Sequence, residues 1–267
     1  MTNEKDKHSV KRHGRNAQTS KPIKMFCTNG AGVVNEKKDS LINEVKATGA
    51  TIVTVQETHS RRKGRIMIEN MVVFEVIRNK KGGGTICAIH QDLNPKMIEA
   101  YNEPFEMIIV EVDGNKRIIT GYGPQENWSE DKRLPFFITL EEEIVKAAVA
   151  GKAVKIEMDA NAKLGQKYIP NDPKEMSKNG KVLSSIIDTH ALCVVNGLKG
   201  KIKGLITRHM STVNGIEQSV IDFVIVSNEL IKHIESIHID DDRVNVLTTK
   251  HKTKTGTTMS KSDHNLI

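Results

Sequence analysis

The stretch Thr51-Ile52-Val53-Thr54-Val55 leaves little freedom in how the surrounding chain can fold. Every residue in it is β-branched, which stiffens χ1, disfavours a helix and suits a strand. The run has no polar side, so it reads as a strand covered on both faces. A strand of that kind needs a packed layer above and another below it. It stops abruptly at Gln56-Glu57-Thr58.

Other segments repeat the pattern. Strands are predicted at 23–27, 71–77, 85–90, 105–112, 116–121, 152–156 and 192–196, and near 234–239 and 243–249. Asp113-Gly114-Asn115 marks a hairpin between two of them. Residues 215–226 read as a hairpin arm, and the Lys/Thr-rich segment after 249 as a loop. Leu41, Ile42 and Val45 have helical spacing within 37–48, and Gly49 is the stop. A second helix is predicted from Pro135, in its first turn, to about Ala150, with Phe136, Phe137, Leu140, Ile144 and Ala147 buried. A polar loop follows over 162–178, then a helix over 179–189. Strands outnumber helices, which fits an α+β architecture of two packed sheets flanked by helices, in one domain over 23–267.

Charge adds a partner class. The formal net charge is +7, which favours a polyanion. Residues 1–24 hold seven Lys/Arg against Glu4 and Asp6 and almost nothing apolar. Residues 1–22 are therefore read as a disordered basic arm, serving either phosphate binding or solubility. No apolar run reaches about 18 residues, so no membrane span is expected. The N-terminus lacks the apolar core of a secretory signal. Cys27, Cys87 and Cys193 are odd in number, far apart and in apolar contexts. That argues for reduced thiols in a nuclear or cytoplasmic protein, not a secreted one.

Polar clusters at strand ends carry the chemistry. Asn29, Glu57, Asp159 with Asn161, Asp222, and Asp263 with His264 each follow or lie in a predicted strand, and Tyr122 joins them. Singly, a strand-end Glu is usually surface and an Asn usually a turn former. Jointly, strand ends converging on one edge would bring several carboxylates into one cleft, where they repel unless a cation lies among them. Oxygen donors without cysteine or several histidines suit Mg²⁺, or Mn²⁺, and not Zn²⁺. Such a site is what metal-assisted phosphodiester hydrolysis requires.

In order, Gln56-Glu57-Thr58, Tyr122-Gly123-Pro124, Asp159-Ala160-Asn161, Ser219-Val220-Ile221-Asp222-Phe223 and Ser262-Asp263-His264 resemble the endonuclease/exonuclease/phosphatase superfamily. Asp159–Gly165, Asn179-Gly180 and Thr207-Arg208 bring the resemblance closest to endonuclease domains of non-LTR retrotransposons, where the threonine is more often followed by an aromatic residue. The resemblance implies a four-layer αββα sandwich of the DNase I type and a Mg²⁺-dependent endonuclease. It would nick double-stranded DNA to leave a 3′-hydroxyl for target-primed reverse transcription, with a reverse transcriptase domain in the same polyprotein. It further implies Glu57, Asp263 and Asn29 as metal ligands and Tyr122 on the scissile phosphate. Asp159 would act on the attacking water beside Asn161, and Asp222 would orient His264, which binds the developing charge.

Two positions depart from the pattern. Cys27 stands where the family has Asn, and Met158 where it has Gly, which would put a side chain into the site. Glu157 is a further carboxylate there, and the chain stops at Ile267, before the family's last strand would be complete. The competing readings are an abasic-site repair endonuclease, a small-molecule phosphatase and a catalytically impaired nucleic-acid-binding remnant.

Overall fold

A computed structural model describes residues 23–32, 37–62, 64, 66–78, 82–245, 247–253 and 256–267. The expected basic arm lies outside the described residues.

The strand at 51–55 is central to a four-stranded sheet. It runs as β2 (Ile52–Gln56), parallel to β1 (Met25–Asn29) and antiparallel to β4 (Thr85–His90), which pairs β3 (Met71–Val76). All five residues of β2 are buried, with Thr54 and Gln56 bonded to Glu157 and Thr120 of the facing sheet. The second sheet has six strands in the order β5 (Lys96–Tyr101), β6 (Glu106–Val112), β7 (Lys116–Tyr122), β8 (Ala153–Asp159), β13 (Asp222–Ser227) and β9 (Leu192–Val194). The intervening strands are short and paired apart from it: β10 (Ile202–Lys203) with β14 (Ile237–His238), and β11 (Arg208–Thr212) with β12 (Gly215–Ser219). A last hairpin joins β15 (Thr248–Thr253) to β16 (Gly256–Lys261).

Period-two alternation directs side chains between the sheets and to their outer faces. Between the sheets, Ile52, Cys87 and Ile89 meet Ile108, Val110 and Ile118. Outside the first sheet, Leu41 and Val45 of α1 (Lys38–Thr48) cover Phe26, Val53 and Val55. Outside the second, Phe136, Phe137, Leu140 and Ile144 of α2 (Glu130–Val149) and Leu183, Ile186 and Ile187 of α3 (Lys178–Thr189) cover Ile109, Ile156, Met158 and Phe223. The layers are helix, sheet, sheet, helix, which is the expected αββα sandwich. A short α4 (Asn228–Ile231) follows β13.

Several boundaries differ from expectation for identifiable reasons. α2 begins a turn before Pro135, with Glu130 and Asp131 stabilising its N-terminal dipole. β5 was not expected because four of its six residues are exposed, so it lacks a buried apolar face. The 215–226 arm is split: β12 pairs β11, while β13 crosses into the six-stranded sheet. The 243–249 segment becomes strand only from Thr248, because Asp240 accepts from Val244 N and Asn245 N and curls the chain there. The expected Lys/Thr-rich loop is the β15–β16 hairpin, and the strand near 234–239 contracts to β14. The 192–196 strand ends at Val194, where a 3₁₀ turn begins. At the C-terminus, Ile267 exchanges two backbone hydrogen bonds with Cys27, 2.8 and 3.0 Å, along the edge of β1. No described helix is long and apolar enough to cross a membrane.

Candidate active site

Because β1 and β2 are parallel, as are β7 and β8, their C-terminal ends reach one rim of the sandwich. β13 runs the other way, so its first residue, Asp222, pairs with the last of β8, Asp159. Asn29, Gln56, Tyr122, Asp159 and Asp222 thereby collect along one edge. Glu57 follows directly on β2, and 262–264 come back across the opening: Ser262 Oγ donates to Asn29 O at 3.1 Å.

At the centre, His264 Nδ1 lies 3.0 and 2.9 Å from the two carboxylate oxygens of Asp222. Its Nε2 is 3.8 Å from Asp159 Oδ2. All three residues are buried, and each offers a ligand atom within 4.8 Å of the others. Burial alone would push the imidazole down, yet Asp222 and Asp159 hold it protonated up to about 9. Burial and the Asp222 charge push the Asp159 carboxyl well above the usual carboxylate range. Asn29 Nδ2 at 2.8 Å and the Asn161 N–H at 3.0 Å favour its ionised form.

On the open side, Tyr122 donates its hydroxyl proton to Glu57 Oε1 and accepts from Gln125 Nε2 at 2.9 Å. Burial and Glu57 raise the phenol far above its ordinary value. Burial would raise Glu57, but its bonds to His59 and Tyr122 take it down to about 2. Asp263 is the most open of the acids, with a side chain 35% exposed, and its Oδ2 accepts from Arg208 Nε at 3.0 Å. Glu57, His59 and Asn161 all have positive φ (50°, 54° and 44°), a region non-glycine residues enter at a cost of roughly 1–3 kcal/mol each. Backbone bonds from His59 N to Gly83 O, 2.8 Å, and Gly32 N to Glu57 O, 2.7 Å, hold the first two there.

The expected residues Asn29, Glu57, Tyr122, Asp159, Asn161, Asp222, Asp263 and His264 are thus gathered at one rim. The two departures fall differently from expectation. Met158 points away from the rim into the core beneath α2 and α3, so no side chain intrudes where glycine was expected. Alternation along β8 dictates this, because Asp159 faces inward and its neighbour must face out. Cys27 lies inward and deeper than Asn29, beside Thr54 and Glu157, and burial keeps its thiol protonated. It is Asn29, two residues on, that supplies the amide to Asp159. Glu157 is also recessed between the sheets, against Lys155 Nζ at 3.0 Å and Thr54 Oγ1 at 2.9 Å.

Supporting residues had weaker signals in the sequence. Thr207 Oγ1 accepts from the N–H groups of Ile221 and Asp222, 2.9 and 3.1 Å, and sets the start of β13. Asn196 clamps the same strand through Asp222 O and Val224 N. Asn179 is fully buried, donates to Pro124 O (2.7 Å) and Asn161 O (2.9 Å), and accepts from Arg133 Nη1 (2.8 Å). Gly123 and Gly180 permit these approaches: a Cβ at either would overlap the carbonyl of Ala160 or Lys163. Asn179→Ala is expected to cost about 2–3 kcal/mol in urea unfolding, because two buried carbonyls and a guanidinium lose their partner. Arg208, recognised in the sequence only as a departure, stands inside the acidic rim.

Two sheets, helices on both outer faces and an acid–imidazole rim define a DNase I-like αββα protein. Solved structures agree on that fold. The endonuclease domain of TRAS1, a telomere-specific non-LTR retrotransposon, superposes with a TM-score of 0.64 at 15% identity, over 92% of this chain and 96% of that one. A 3′-5′ exonuclease from Neisseria meningitidis gives 0.66 at 13% identity, over 91% and 97%. The AP endonuclease of Leishmania major gives 0.61 at 14%, over 91% and 86%. No protein-family model and no curated protein sequence matches the chain. The chain therefore has the endonuclease/exonuclease/phosphatase fold.

Proposed function

We propose that this chain is a metal-dependent endonuclease that nicks double-stranded DNA and leaves a 3′-hydroxyl. One observation carries the reading: a buried imidazole, held protonated by Asp222, faces Asp159 across 3.8 Å at the end of two sheets. Paired in this way, His264 presents positive charge to an oxyanion, while Asp159, its proton affinity raised, is suited to accept a proton near neutral pH.

The donors fit a hard divalent cation, because Glu57, Asp159, Asp222 and Asp263 offer four carboxylates, more than His264 and the Arg208 guanidinium on Asp263 offset. Glu57, with Asp263 and Asn29, would hold Mg²⁺ or Mn²⁺. Asn29 Oδ1 keeps one lone pair beyond the bond from Ala31 N at 2.9 Å. Asp159, Asp222 and His264 form the tighter trio, but Nδ1 is committed to Asp222 and a protonated ring is no ligand. That trio is better suited to proton and charge handling. A bound cation would supply Lewis-acid withdrawal of charge from the phosphate. Tyr122 orients the phosphate by its hydroxyl, and Asn161 steadies the water. As water adds to phosphorus its proton passes to Asp159. The P–O3′ bond breaks, the leaving O3′ takes a proton from solvent, to which Asp159 then returns the one it accepted, and His264 offsets the charge on the phosphate oxygens.

The basic balance of the chain supports a DNA substrate. A 3′-hydroxyl is what a reverse transcriptase requires as primer, so a polymerase of that kind in the same polyprotein is the proposed partner. Supercoiled plasmid should be converted to open circles in Mg²⁺ and left intact in EDTA. Nicking that persists in EDTA would sink the proposal, and a strong preference for duplexes with an abasic site would reassign the chain to repair.

A further inference from the structure

Arg208 adds a fixed positive charge to an acidic cleft whose other cation, His264, is already paired with Asp222. Retrotransposon endonucleases, which the sequence resembles, more often have an aromatic residue after the threonine, so the charge distinguishes this chain. Its backbone is tied to the site on both sides. Asn265 N donates to Thr207 O and His209 N to Asp263 O, each 2.7 Å, and Arg208 forms a β-bridge with His264. Its side chain is 28% exposed and sits against Asp263, itself 35% exposed. Nε is committed to Asp263 Oδ2, and Nη2 reaches Met210 Sδ at 3.5 Å. Nη1 has no hydrogen-bond partner among the described residues.

Those facts have two chemical consequences. Asp263 Oδ2 already faces a cation, so a divalent ion that also uses Asp263 must compete with a unit positive charge a few ångströms away. The remaining guanidinium N–H groups are planar donors suited to phosphate oxygens, which an aromatic ring at this position could not offer.

We propose that Arg208 is a built-in cation of this cleft: it holds Asp263, weakens divalent-cation binding there, and donates to a non-bridging oxygen of the scissile phosphate. The proposal rests on the endonuclease reading, and it makes Arg208 a catalytic residue of this chain.

The test uses the whole chain with Arg208→Phe, which places an aromatic ring without a donor there, and Arg208→Met, which removes charge and donors with little change of reach. Mn²⁺ affinity is measured by calorimetry without DNA, and single-turnover nicking is measured on plasmid at saturating Mn²⁺. Both variants are expected to bind Mn²⁺ about tenfold more tightly, because Asp263 is released. They are expected to nick about 10²-fold more slowly, because one donor to the phosphate is lost. Unchanged or weaker Mn²⁺ binding overturns the proposal whatever the nicking rate. Tighter binding with unchanged nicking overturns the phosphate contact. Thermal unfolding identifies a variant that has failed to fold, and the other then decides. A wild-type chain that nicks no DNA overturns the endonuclease reading and the phosphate contact with it, while the Mn²⁺ titration still decides whether Arg208 competes for Asp263.

Discussion

Asp159→Asn is expected to lower single-turnover nicking by on the order of 10³-fold or more, because the group that accepts the water's proton is gone. Its effect on stability has a different cause. Asp159 Oδ1 accepts from Asn161 N, so the new amide nitrogen must point at Asn29 Nδ2, which now donates to Oδ2 at 2.8 Å. Asn29 cannot turn over to relieve two opposed donors, since its Oδ1 accepts from Ala31 N. Relief of the repulsion from Asp222 offsets part of that cost. The double variant Asn29→Asp/Asp159→Asn reverses the donor and acceptor and restores the bond. It should recover melting temperature relative to Asp159→Asn while nicking stays lost. Recovery of nicking in the swapped pair would remove Asp159 from the role of base.

His264→Gln and Asp222→Asn are expected to reduce nicking by about 10²–10³-fold each, and by no more together, because the two residues act as one unit. They also predict a pH dependence of stability in EDTA. The folded chain holds His264 protonated up to about 9, above the ordinary imidazole value near 6.5. A raised folded value means that its contribution is complete below about pH 6.5 and is lost as pH rises towards 9. Asp159, raised for burial and for Asp222, acts in the same direction at lower pH, since its protonated form is the one the fold favours. Melting temperature in EDTA should therefore fall across pH 6.5–9 in the wild-type chain and stay nearly level there in His264→Gln. A wild-type profile that rises over that window would show that the imidazole is neutral in the folded chain.

Burying these groups is costly, and the sandwich around them offsets it. Each fully buried side chain such as Ile108, Phe136 or Phe223 contributes roughly 1.5–3 kcal/mol by leaving water. The strained backbone at Glu57 and Asn161 and the repulsion of Asp159 and Asp222 draw on that stability for geometry the fold itself does not need.

Much of this was legible from residue order. The β-branched run at 51–55 required a doubly covered sheet, and a central strand with all five residues of β2 buried is what formed. The polar residues that end β1, β2, β7 and β8, and the one that opens β13, stood out because each interrupts or closes an apolar run. The β15–β16 hairpin and β5 were illegible for the complementary reason. Neither 248–261 nor 96–101 has an apolar face, and pairing there is decided by a neighbouring strand.

Residue types and their order determined the layers and the donor chemistry of the rim, because those depend on hydrophobic period and on donor atoms alone. Direction and depth were decided only by the tertiary structure. Pairing β8 antiparallel to β13 sets Asp159 against Asp222, and the inward face of Asp159 sends Met158 out into the helix-side core. Along β1, Asn29 gives its amide to Asp159, while Cys27 is recessed beside Thr54 and Glu157. Arg208, 55 residues before Asp263, reaches it because the segments around both are paired backbone to backbone. Such contacts depend on strand register, and register is a property of paired chains that no single stretch of sequence contains.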